Sequence, residues 1–451
     1  MLSILDQPPR LGDGVSRREW LRLGGLGAFG LSLPELLRGR SDAALEEAPR
    51  LSGGKAKSCI VLFLLGGPPQ HETWDPKPGA PVEIRGDHKP IATAVPGFQV
   101  GETMPLTAKL TDKIHVLRAV STKDNAHSTS GYAMSTGVSH LPLGVEGAKP
   151  GSPNNWPCMA AVIKRLRASR GGLPSSIVIP EILANDGNKT WPGQDAGWMG
   201  RAADPWLLDC DPSAENFQVP GLALPAEISR SRFNDRKSLL RQVDRRLNRA
   251  RDDGLVARET WKAQAFDLLG SSKAREAFDL SQEPDAVRDR YGRHKFGQGL
   301  LLARRLVEAG VSLTQVNWSR LPNALNNGHW DTHRQNSAAL RKHLMPVMDQ
   351  AYSALLEDLS DRGMLGETLV VSLGEFGRSP KINAAGGRDH WGSVFSIALA
   401  GGGIQGGGIH GSSDRLGGQP KSGLVTPGDF TATVYHALGY RPHVAVTDPT
   451  G

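Results

Sequence analysis

The chain has 451 residues, 39% of them hydrophobic, and a formal net charge of +7. That is enough apolar content for the core of one large α/β domain or two ordinary ones, and it excludes disordered and fibrous classes. The positive balance favours anionic partners, but Lys and Arg are mixed among acids and no helix-turn-helix, zinc-finger or aromatic RNA-binding pattern occurs, so nucleic acid is not an expected partner.

Ser16-Arg17-Arg18-Glu19-Trp20-Leu21-Arg22, followed by the Gly-rich, mildly apolar stretch Leu23 to Leu33, resembles a twin-arginine export signal. Residues 1–45 are therefore read as a signal-like segment and linker, and residues 46–451 as a single domain. The expected location is the periplasm or cell envelope, with the twin-arginine export machinery as a partner. Ser41-Asp42-Ala43-Ala44 is a poor cleavage site, so the mature chain is expected to be soluble or tethered by its own N-terminus. No other apolar run reaches the roughly 18 residues that span a bilayer.

Cys59 to Leu65 is a short continuous apolar run closed by Gly66-Gly67-Pro68-Pro69, the pattern of a central parallel strand. Similar runs recur at Ser176 to Ile179, Val311 to Val316, Thr368 to Leu373 and Val394 to Leu399. An excursion near 180–290 separates the second from the third. Its first part, Pro180 to Pro225, is rich in Pro, Gly, Asp and Trp, so Trp191, Trp198 and Trp206 are candidates for a substrate-facing wall or for packing. Its second part, about Asn234 to Leu280, reads as two charged helices on one flank. Leu340, Leu344, Val347, Ala351, Leu355 and Leu359 mark the buried face of a long helix with a bend at Pro346. Alternating strands and helices imply a mostly parallel central sheet with helices on both faces. Gly401-Gly402-Gly403 and Gly406-Gly407-Gly408 lack the Lys and Ser/Thr of a phosphate loop and are read as tight turns.

Chemistry concentrates where the apolar runs end, which is where open α/β sheets place their ligands. The first run leads into Gln70-His71-Glu72-Thr73-Trp74-Asp75, and a small-residue helix start follows at Asp124-Asn125-Ala126-His127-Ser128-Thr129. Later come Asn327-Gly328-His329-Trp330-Asp331-Thr332-His333, Gly374-Glu375-Phe376-Gly377-Arg378 and Arg388-Asp389-His390-Trp391. Carboxylates and imidazoles converging from several loops are what a divalent cation needs. The three cysteines, Cys59, Cys158 and Cys210, form no CxxC pair, so a cation must be held by His, Asp, Glu and Asn.

Tyr132 to Gly137, taken with Asp331/His333, Gly374-Glu375-Phe376-Gly377 and Asp389-His390, resembles the alkaline phosphatase and sulfatase superfamily. Within it, the double arginine, Gly66-Gly67-Pro68-Pro69-Gln70 and Arg388-Asp389-His390-Trp391 resemble the domain of unknown function 1501 family over nearly the whole chain. The resemblance implies an alkaline-phosphatase-like three-layer α/β sandwich and one or two divalent ions, zinc, calcium or manganese. It makes Asp331, His333 and His390 ligands of one ion, and Glu375 an acid at the other. It puts the superfamily's nucleophile position at His127, with Ser128 beside it. A histidine there implies a ligand or a phosphoryl acceptor in place of an alkoxide. Two further departures are the glycine pair where a first-strand aspartate is usual, so that His71, Glu72 or Asp75 would have to serve, and Phe376 where a histidine is usual. Arg378 or Arg388 would stabilise charge on the ester oxygens, and Asp389 would bind metal or orient its neighbour. The implied function is an exported metal-dependent hydrolase of phosphate or sulfate esters, acting on an anionic small-molecule or polysaccharide ester with water or a helix-start residue as nucleophile. The alternative is a non-catalytic binding protein of the cell envelope on a degenerate version of the same fold.

Overall fold

In the computed structural model, Ser58–Phe63 forms strand β1 and every one of its residues is buried. The structure describes residues 53–185, 189–219, 222, 229–247, 265–441 and 444–446. The chain divides into two compact units, Met1–Pro49 and Arg50–Gly451, and the described residues all belong to the second. The expected export segment therefore lies outside them.

Seven further strands complete the main sheet: β2 (Ile114–Val120), β3 (Ser176–Ile179), β4 (Trp206–Leu207), β5 (Leu313–Asn317), β6 (Thr368–Leu373), β7 (Phe395–Gly401) and β8 (Gly408–His410). Their order is β8-β2-β7-β6-β1-β5-β3-β4. At the centre, β1 pairs in parallel with β6, Ser58 opposite Thr368 through Phe63 opposite Leu373, and with β5, Cys59 opposite Leu313. Continuous Val, Ile and Leu runs suit such strands because both faces must be covered. The covering helices are α1 (His127–Thr136), α2 (Met159–Leu166), α3 (Lys295–Glu308), α4 (Met345–Asp361) and α5 (Pro427–Ala437). Helix α3 packs on β1 and β5 and against α4, α2 packs on β3 and β5, and α5 packs on α1. No helix of the described residues is long and apolar enough to cross a membrane.

One strand runs against the others. β7 is antiparallel to both β6 and β2. The chain leaving the carboxyl end of β6 therefore re-enters the sheet from the same edge, and the whole 374–394 segment is confined to the edge where β1, β2 and β5 also end. That edge is where the site forms.

Three expectations are refined. Pro346, where a bend of the long helix is expected, sits without an N–H in the first turn of α4, directly after a wide i→i+5 turn at Leu340–Leu344. The flank of the excursion contains a helix at Arg230–Leu247 and another at Ser272–Phe278, with part of it outside the described residues. Gly401, Gly402, Gly403 and Gly407 all have positive φ, as tight turns require. Cys59, Cys158 and Cys210 are all free thiols.

Candidate metal centre

Four segments meet at the carboxyl edge of the sheet. The turn after β1 brings Gly66 and Gly67, the start of α1 brings His127, the segment after β5 brings Asp331 and His333, and the β6–β7 segment brings Glu375, Arg378, Asp389 and His390. The glycine pair is required sterically. A Cβ on Gly66, at φ +112°, would run into the backbone of Trp330 and Asp331, and one on Gly67 would strike the Phe376 ring. The aspartate that the resemblance leads one to expect is absent there because another strand's loop delivers Asp331 into the space. That loop is wound tightly, with Asn323, Asn326, Asn327 and Gln335 all at positive φ, a conformation Asn tolerates better than most residues.

His127, Asp331 and His390 offer ligand atoms that all lie within 4.8 Å of one another. His333 lies beside this group, its Nε2 3.0 Å from Asp331 Oδ1 and 2.9 Å from His390 Nε2, but outside the set whose ligand atoms are all within 4.8 Å of one another. His390 Nε2 is itself 3.0 Å from Asp331 Oδ1, and His127 Nε2 is 3.4 Å from Asp331 Oδ2.

The other nitrogen of each ring fixes its tautomer. His127 Nδ1 is 2.6 Å from Glu375 Oε1, His333 Nδ1 is 3.0 Å from Asp389 Oδ1, and His390 Nδ1 is 2.7 Å from the Asn125 carbonyl. Carboxylates and carbonyls only accept, so each Nδ1 carries its proton and donates it. Each neutral ring then turns a bare Nε2 lone pair toward Asp331. Histidine ligands of metals are held by outer partners in this way. Lone pairs packed this closely repel unless a proton or a cation sits among them, so the donor set fits a divalent cation.

Protonation in the ion-free chain follows the same logic. Burial lowers the His127 pKa, but hydrogen bonds to Asp331 and Glu375 outweigh it and raise the value to about 9. His333 is raised, chiefly by its hydrogen bond to Asp331, whereas burial lowers His390. Asp331 is held far below the usual carboxylate range, because the three histidines and Arg378 outweigh the opposing effect of burial. The Asp331 carboxylate thus favours a proton on His127, and draws His333 in the same direction, where a cation would otherwise sit.

Several residues take other roles than those expected. Glu375 is fully buried; its Oε1 accepts from His127 Nδ1 and from the Gly66 N–H (2.9 Å), and its Oε2 has no hydrogen-bond partner. Arg378 is fully buried and donates to the carbonyls of Gly66, Gly67 and Arg388 and to Asp331 Oδ1 at 2.6 Å; it fixes Asp331 and does not face a substrate. Arg388 is spent on a buried pair with Glu72 Oε1 (2.5 Å) and on the carbonyls of Ile84, Ser379 and Pro380. His71 is turned to the Leu416 carbonyl at 2.8 Å and is not among the converging donors. Asp75 pairs with Lys77 and Ser413. Ser128 Oγ donates to the Val145 carbonyl at 2.7 Å, which ties it to a loop. Asp389 holds His333, the orienting alternative.

Phe376 forms the floor, its ring 4.5 Å from that of His390 and 4.9 Å from that of His127. Trp191 is buried and stacked on His127, centroids 5.9 Å apart, so it backs a ligand; Trp198 and Trp206 pack on Trp156 and Phe278. A cleft of about 450 Å³ opens over the cluster, and His127, Glu146, Lys189, Trp191, Asp331 and His333 are among its lining. Two contributors lay beyond sequence reasoning. Asn125 acts through its carbonyl, which no residue type signals, and Glu146 sits in a Gly- and Pro-rich stretch with no strand or helix beside it.

The protein family described as "Protein of unknown function (DUF1501)" matches residues 56–451. The chain belongs to this family. Solved structures similar to this DUF1501 chain include the PsFucS1 sulfatase from Pseudoalteromonas sp., at 14% identity and TM-score 0.35, covering 84% of this chain and 70% of that one. Others are the lipoteichoic acid synthase LtaP from Listeria monocytogenes, at 8%, 0.40, 87% and 74% in the same order, and an alkaline phosphatase from the Antarctic bacterium TAB5, at 9%, 0.36, 86% and 100%. No curated protein matches the chain in sequence.

Proposed function

We propose that this chain is an exported hydrolase of phosphate or sulfate esters that uses one divalent cation held by His127, Asp331, His333 and His390. The observation that carries the reading is the convergence of three Nε2 atoms on one carboxylate, with every Nδ1 facing an acceptor. Three imidazoles and a carboxylate suit zinc better than calcium, which prefers an all-oxygen shell. The ester class comes from the motif resemblance, and export from the Ser16 to Leu33 segment.

A cation bound there would polarise an ester oxygen and bring the pKa of a water toward neutrality. The chain's own residues do the remainder. Glu375, Asp389 and the Asn125 carbonyl hold the rings, Arg378 holds the carboxylate, and Trp191 and Phe376 exclude water from behind His127. The binding-protein reading is favoured by one observation, that Ser128 Oγ is tied to the Val145 carbonyl, although the neighbouring Thr129 hydroxyl is buried in the first turn of α1 with no hydrogen-bond partner. A water nucleophile removes that difficulty.

Elemental analysis of protein purified without chelator is expected to find about one ion per chain, and aryl phosphate or aryl sulfate is expected to turn over. An ion-free chain whose melting temperature does not respond to added zinc would refute the reading; bound zinc without turnover would leave the binding alternative.

Zinc uptake is also expected to expel protons. His127 remains protonated up to about pH 9, so at neutral pH it gives up a proton when its Nε2 binds the ion, and His333 is shifted in the same direction by Asp331. Calorimetry in buffers of different ionisation enthalpy should report at least about one proton released per zinc, with affinity rising with pH and levelling above about 9. Uptake without proton release would contradict this account of the ion-free site.

A further inference from the structure

Glu146 lies in the same cleft as the converging histidines, and its carboxylate is fixed in place. Oε1 accepts the backbone N–H of His127, the first residue of α1, at 2.7 Å, and Oε2 accepts from Asn185 Nδ2 at 2.7 Å. The backbone around it is clamped to the α1 entrance. Gly144 N donates to Asp124 Oδ1, the Val145 carbonyl accepts from Ser128 Oγ, and Ala148 N donates to that same hydroxyl. Asn185 is held in turn, because its Oδ1 accepts the indole N–H of Trp191, which stacks on His127.

A carboxylate so placed adds an acidic group to the cleft through which an oxyanion would reach the cation, and among the described residues it forms no ion pair. Lys189, whose stem passes Gly147, and Arg334 bring positive charge to the cleft, yet both are exposed and neither pairs with Glu146. Glu146 is exposed, so water screens its charge, but like charges sharing one cleft still oppose each other and repulsion is an effective means of discrimination. We infer that Glu146 selects monoanionic esters, sulfate monoesters or phosphodiesters, and rejects the dianionic form of phosphate monoesters. This rests on the hydrolase reading above and names its substrate class.

The test compares the zinc-loaded full chain with E146Q, which keeps the shape and the acceptor for the His127 N–H. Nitrophenyl sulfate, bis-nitrophenyl phosphate and nitrophenyl phosphate are assayed at mildly alkaline pH, where only the last carries two charges. The parent chain should favour one of the monoanions by at least about tenfold in kcat/KM, and E146Q should narrow that ratio by about tenfold with zinc affinity unchanged. Which monoanion is used distinguishes the sulfate from the diester source. Calorimetric binding of dimethyl phosphate against methyl phosphate provides the same ratio without turnover, so an inactive but zinc-binding chain defeats the hydrolase reading while the charge preference is still measured. Preference of the parent chain for the dianion, or an unchanged ratio in E146Q, overturns the inference, and a chain that binds no zinc removes both readings together.

Discussion

Asp331→Ala is expected to abolish ester hydrolysis and to weaken zinc binding by more than the roughly 10- to 100-fold that loss of an outer partner costs. Asp331 is the one side chain that all three histidines and Arg378 address. Its removal takes away the anionic ligand and leaves three imidazoles and a buried guanidinium facing one another. Arg378 loses one acceptor but keeps three carbonyls, so the destabilisation should be modest, about 1–3 kcal/mol. His390→Ala should match it in turnover with a smaller effect on stability, since the ring's outer hydrogen bond goes to a backbone carbonyl. Zinc titration, thermal melting and aryl ester assays check the three effects separately. Unchanged turnover in both variants would remove the assignment of the site.

Arg388→Ala should do the opposite, disrupting the fold far more than the chemistry. Arg388 and Glu72 are both buried, at 0% and 1% exposure, and Arg388 also satisfies the carbonyls of Ile84, Ser379 and Pro380. Truncation leaves a carboxylate uncompensated in the interior, a change that typically costs about 3–5 kcal/mol. Chemical denaturation should show that loss, and Arg388→Met combined with Glu72→Gln should recover much of it. Zinc stoichiometry should remain that of the parent chain. If stability is unchanged while turnover disappears, Arg388 acts on the substrate after all.

Which parts of this could be read from the residues follows from burial and distance. β1, β3 and β6 were legible because strands covered on both faces are apolar almost throughout, with only Ser58, Ser176, Thr368 and Ser372 as polar positions. β2 was not, since His115 and Arg118 emerge from an otherwise buried strand and break the run, and β4 and β8 are two- and three-residue edge strands with little pattern to find. β7 was visible as a run but not as the strand that reverses, because direction is set by the route of the 374–394 segment. Asp331, His333 and His390 stood out in polar clusters where apolar runs end, and His127 through the helix start to which the resemblance pointed. The roles of Glu375, Arg378 and Arg388 did not, because a buried charge is defined by its partner, and the partner of Arg388 lies 316 residues away in sequence. His71 shows the converse: its cluster is at the right edge of the sheet, yet the neighbouring 414–419 loop captures its ring.

The wide separation of the histidines along the chain carries one more implication. Apart from the neighbouring Asp331 and His333, no two of the four cation-binding side chains are close in sequence, and they reach one another only when β2, β5, β6 and β7 have taken their places in the sheet. On the proposed reading an unfolded or half-built chain has no grip on an ion, and capture would be the last event of assembly: a chelator should then speed unfolding without impeding the early steps of refolding.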